Sequence, residues 1–94
     1  MQIAKVVGTV VSTKKDANLI GYKLLMISPL ERNGRPKDSV VVAVDAVGAG
    51  IGEVVLVVTG STARQAVSAV AAPIDAAIIG IVDTMEGGSH ENLY

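Results

Sequence analysis

The stretch from Val40 to Arg64, VVVAVDAVGAGIGEVVLVVTGSTAR, leaves the chain few ways to fold. Val40 to Val44 and Glu53 to Thr59 are each short enough for a buried strand and too β-branched for a comfortable helix. They read as two strands paired with each other. Between them Gly48, Gly50 and Gly52 alternate with Ala49 and Ile51, ahead of Glu53. Such a turn suits a chain that takes positive φ or lets another backbone approach closely. Gly60 ends the second run. Thr62 and Gln65 then have capping-box spacing, in which a hydroxyl and an amide three residues apart satisfy each other's exposed backbone donors. A helix is expected to begin there and to occupy Ala63 to Ala71, until Ala72-Pro73 stops it.

The remaining segments extend the same pattern. Ile3 to Ser12 reads as a long, curved first strand with a bend or bulge at Gly8. Thr13 to Asn18 is a polar loop, and Gly21 to Ser28 is a strand closed by Pro29. Leu30 to Ser39 gathers charges with Asn33-Gly34 and Pro36, the signature of a surface hairpin tip. Ile74 to Met85 is a last strand, with Gly80 relieving crowding. About five short, curved strands and one short α-helix predict a mainly β fold, a small closed OB-like β-barrel, because closure removes edges that such strands would otherwise expose. Residues 1–86 read as a single domain. Residues 87–94, including His90, read as a linker and the start of a protease-cleavage tag.

Composition bears on assembly. Half of the 94 residues are hydrophobic, yet there is no Phe or Trp and there are only two Tyr, so the core must use Val, Ile, Leu and Ala. A domain of this size buries only roughly 60 to 70% of the surface its unfolded chain exposes. With a positive mean hydropathy, more apolar surface is present than one compact monomer hides. A stable homo-oligomer is the expected outlet. The formal charge of −1 gives no basic field for nucleic acid, no stretch has the length of a membrane span, and Met1 to Ser12 is too interrupted for a signal peptide. A soluble cytoplasmic protein is expected.

Chemistry is sparse. Without cysteine, and with the lone histidine in the tail, the common zinc and nucleophile constellations cannot be assembled, and no catalytic residue, metal site or cofactor is expected. Ser61 has no base to activate it, so it reads as a corner or capping residue. The glycines at 48, 50 and 52 do not complete a dinucleotide-binding turn, since Glu53 stands where the third glycine is needed and a strand follows. Asp83-Thr84 after IIGIV is one enzyme-like hint, as in a small dimeric aspartic protease, but Met85 replaces the required turn glycine. Structural hydrogen bonds explain Asp45, Asp75 and Asp83 more simply. An OB-type module for single-stranded nucleic acid is a further alternative, for which Tyr22 alone offers no stacking platform.

The opening IAKVVGTVVSTKK, the GYKLLMISPL strand, the AVDAVGAGIGEVVLVVTGSTAR block and the closing PIDAAIIGIVDT together resemble one family. It is that of the pentameric vertex proteins of bacterial microcompartment shells, found in carboxysomes and in ethanolamine-type metabolosomes. The resemblance covers Met1 to Met85. It implies a non-enzymatic role: a small barrel forms a cyclic homopentamer that fills the five-fold vertices of a shell otherwise tiled by hexamers, the expected partners. It further implies that Gly60, Ser61, Thr62, Ala63 and Arg64 border a narrow axial pore, with Ser61 and Thr62 lining the opening and Arg64 anchoring the loop. Gly48, Ala49, Gly50, Ile51, Gly52 and Glu53 would then serve subunit packing. Lys14, Lys15, Arg32 and Arg35 are candidates, by exposure, for the outer rim.

Overall fold

The structure, a computed structural model, describes residues 1–13, 15–67 and 73–86. Its strands are β1 (Gln2–Val10), β2 (Leu24–Pro29), β3 (Val41–Asp45), β4 (Val54–Thr59) and β5 (Ala76–Ile81), with one short helix, α1 (Ser61–Ala66), between β4 and β5. The five strands close a barrel in the order β1-β2-β3-β5-β4. The mainly β closed barrel expected from the sequence is therefore found.

Alternation along the strands builds the interior. Ala4 and Val6, Leu25 and Ile27, Ala43, Val55 and Val57, and Ala76 and Ile78 point inward and form one buried cluster. Full burial of an aliphatic side chain of this size stabilises by about 1.5 to 3 kcal/mol. A second cluster lies outside the barrel wall, where Ala63 of α1 packs with Val44, Val58, Ile74 and Ala77. β4 is thus apolar on both faces. That double burial is why its sequence runs as unbroken hydrophobic residues rather than alternating.

The expected pairing of the two central valine runs is overturned. β3 pairs antiparallel with β2 and parallel with β5, while β4 lies between β1 and β5. The chain after β3 does not turn straight back into a hairpin; its glycine-rich connection instead carries Ala49 into the interior cluster. Closure then sets β5 between the two runs.

Gly8 acts as expected. The β1–β2 register shifts between Val6 and Gly8, and a Cβ at Gly8 would stand 3.1 Å from the Met26 sulfur. The hairpin tip also forms: Leu30 bridges Pro36, Gly34 has φ of 84°, and the Asn33 side-chain oxygen accepts from Arg35 N at 3.0 Å. The strands at 3–12, 21–28 and 74–85 are shorter than their apolar runs, because hydrogen-bonded pairing stops where the barrel's tilt takes each neighbour away. Of the polar loop expected at 13–18, Ala17 and Asn18 begin a one-turn 3-10 helix, Ala17–Leu19, capped by the Asp16 carboxylate on Asn18 N.

Candidate functional site: the helix-start loop and the glycine turn

Gly60 sets the first loop. Its φ of 69° and ψ of −147° belong to a region that L residues rarely enter, and its N–H donates to Asp75 O at 2.9 Å. This bond holds the start of α1 against the segment leading into β5. Gly60 is itself the N-cap, its carbonyl accepting from Ala63 N at 3.1 Å, and no side chain caps the helix. The expected capping box between Thr62 and Gln65 is therefore not formed. Thr62 lies one residue inside the helix, where its hydroxyl no longer faces the free first-turn amides. α1 begins at Ser61, not Ala63, and its C-cap is Val67; the expected continuation through 68–71 lies outside the described residues.

The loop is fixed from behind and open in front. Ala63 is wholly buried in the second cluster, and the Arg64 guanidinium donates from Nη1 to Ile74 O at 3.2 Å. Ser61 and Thr62 are exposed, and neither side chain has a hydrogen-bond partner among the described residues. Two small hydroxyl side chains are thus presented outward on a rigid corner.

The second loop is organised by Asp45, at the end of β3. One carboxylate oxygen accepts from Val47 N and Gly48 N, each at 3.0 Å, and the other from Ala49 N at 2.9 Å. The side chain is only 1% exposed, and Lys23 Nζ approaches it at 3.6 Å while donating to Ala49 O at 2.9 Å. Next, Glu53 accepts from Gly50 N through Oε1 at 2.6 Å, and Gly52 N donates to Val6 O at 2.8 Å. Gly48 and Gly52 have φ of 82° and 92°. A Cβ at Gly50 would lie 3.3 Å from Glu53 Oε1, so this glycine serves close approach instead. Both uses of glycine were legible in the spacing.

Placed on the fold, the two loops are separate: no hydrogen bond or ion pair among the described residues joins them. Of the three aspartates expected to make structural hydrogen bonds, Asp45 does. Asp75 and Asp83 are exposed, and their carboxylates have no partner among the described residues, because each sits just outside a strand end rather than over a loop. An exposed Asp83 beyond β5, with Met85 in place of the turn glycine, does not support the protease alternative. Tyr22 packs against the second cluster, which removes the one candidate stacking surface for nucleic acid. Lys23 was the residue missed by sequence reasoning as a partner of this loop; no sequence signal marks it, because it meets Asp45 and Ala49 O only once β2 pairs with β3.

Comparison with known proteins places these features in context. Residues 1–83 match the family model described as ethanolamine utilisation protein EutN/carboxysome. The carboxysome shell vertex protein CcmL of Synechocystis is 49% identical over 95% of this chain and 89% of its own length. The microcompartment shell vertex protein GrpN of Rhodospirillum rubrum is 51% identical over 92% of this chain and 97% of its own. The solved structure of that GrpN, described as a pentameric microcompartment shell protein, superposes with a TM-score of 0.84 over 93% of this chain and 99% of its own, at 50% identity. A carboxysome CcmL subunit superposes at 0.91, over 100% of this chain and 97% of its own, at 49% identity. Shared sequence, shared barrel and shared length agree: the chain belongs to the EutN/CcmL family.

Proposed function

We propose that this chain is a structural vertex protein of a bacterial microcompartment shell and closes into a cyclic homopentamer at the shell's corners. The observation that carries the reading is near-complete correspondence with pentameric GrpN, in sequence and in fold. Its role is non-enzymatic, and it acts within the shell, in the cytoplasm. The chain's own physics supports association: Val40, Val41, Val42 and Ile51 are all at least 40% exposed on the single chain, apolar surface that a neighbour would cover. A closing rotation that repeats one heterologous contact produces a ring.

Within this reading Ser61 and Thr62 line the axial opening. Gly60, small and exposed, allows five copies of the loop to crowd together, Ala63 is turned away into its own chain's second cluster, and Arg64 holds each loop from behind through Ile74 O. The glycine turn meets a neighbouring subunit through Ile51, 65% exposed, whereas Ala49 and Glu53 are occupied within their own chain. Hexameric shell proteins meet the outer rim, for which Lys15, Arg32 and Arg35 are exposed candidates; Lys14 lies outside the described residues.

Light scattering tests the assembly: a mass five times that of the chain is expected, and a well-folded single chain or pair overturns the proposal. The pore assignment has its own test. The chain has no cysteine, so Ser61→Cys introduces one thiol per subunit. A short bis-maleimide, which adds one thiol at each end, should join subunits within the ring; an intact pentamer that fails to link separates Ser61 from the axis.

A further inference from the structure

A heterologous ring needs two different patches on each subunit, on sides of the molecule that a rotation can bring together. Two apolar patches of this kind are present. The first is at β3, which pairs with β5 only at Val44 and Asp45, so that among the described residues Val41 to Ala43 have no strand neighbour on that side. Val42, and Val40 just ahead of the strand, are 47% and 52% exposed. A small groove of about 180 Å³, lined in part by Val42, Ile74 and Asp75, opens beside them.

The second patch lies on the seam of β1 and β4. Ile3 and Leu56 are register partners, and both point out of the barrel because their neighbours Ala4, Val55 and Val57 point in. They border a larger groove of about 740 Å³. In the strand order β1-β2-β3-β5-β4, β3 is the strand farthest from the β4–β1 seam. The two patches therefore occupy opposite sides of the barrel.

Charge distinguishes this pairing from a generic greasy contact. Asp75 is exposed at the rim of the β3 groove, and Lys5 shares the outer face of β1 with Ile3. Neither forms an ion pair among the described residues. We infer that the open β3 edge of one subunit, through Val40 and Val42, packs on the Ile3–Leu56 seam of the next copy, with Asp75 facing Lys5 of its neighbour. This inference rests on the ring assembly proposed above and names the surfaces that build it.

A charge swap tests it. Lys5→Glu sets like charges against each other at every contact of the ring, and so does Asp75→Lys if the neighbouring lysine is Lys5. Each single variant should raise the concentration at which the ring half-dissociates by about tenfold or more, and the double variant should return it to within about threefold of the unaltered protein. Single variants that behave like the unaltered chain, or a double variant no better than the singles, overturn the pairing. Val42→Glu, at a solvent-facing position of the single chain, should disperse the ring while circular dichroism retains the folded barrel. A Val42→Glu ring of undiminished stability also overturns it. An unaltered chain that never forms a ring is a different result, and it refutes the assembly itself.

Discussion

Asp45 shows how one side chain sets the course of a long connection. Its buried carboxylate accepts three backbone N–H groups in succession, so the chain after β3 is held over the barrel mouth and Ala49 is carried into the interior. Hydrogen bonds to a charged group contribute about 1.5 to 3 kcal/mol, and orphaned buried donors cost more than the lost bonds alone. Asp45→Ala should therefore lower unfolding free energy in urea by about 2 to 4 kcal/mol. Asp45→Asn, which keeps one acceptor oxygen, should fall between. Lys23→Met should cost less than about 1 kcal/mol, since the lysine is half exposed and water replaces part of what it provides. The aspartate was legible as a structural residue from the sequence, because a strand-ending Asp ahead of a glycine turn has amides to accept from. Its choice of partners was not, because three amides converge only once the loop has closed.

At the level of elements, glycine positions divide into two physical classes, and substitution should separate them. Gly60 has open space around a virtual Cβ but a backbone conformation that side chains resist. Gly60→Ala should cost about 1 to 3 kcal/mol by conformation alone. Gly80 has no such restraint; its Cβ would stand 3.4 Å from a Leu56 methyl, ordinary contact. Gly80→Ala should change stability by less than about 0.5 kcal/mol, and paired urea titrations of the two variants check the contrast. Strand existence was readable because β-branched density and turn residues act locally. Strand pairing was not, for β3 and β4 are adjacent in sequence while β5 arrives between them from beyond both. The helix start was misread for a related reason. Gly60, in a conformation that only glycine adopts readily, supplies the cap with its backbone, so the Thr62–Gln65 spacing carries a signal that the fold never uses.

For the whole molecule, the apolar surplus announced association, whereas the number five comes from likeness to a pentameric relative. The number has a thermodynamic signature of its own. When folding and assembly are coupled, unfolding releases separate chains, so stability per chain depends on protein concentration by mass action. For a ring of five, four association steps are shared among five chains. Each tenfold rise in concentration then adds four-fifths of about 1.4 kcal/mol, or about 1.1 kcal/mol per chain. A dimer would add about half of 1.4, near 0.7, and a monomer nothing. Urea unfolding over three decades of chain concentration should give the steeper slope for the unaltered protein. Val42→Glu, if its barrel folds without its neighbours, should flatten that slope toward zero while keeping the single-chain transition. The exposed valines of β3 would then be measured directly as the surface that couples the fold of one subunit to the closure of the ring.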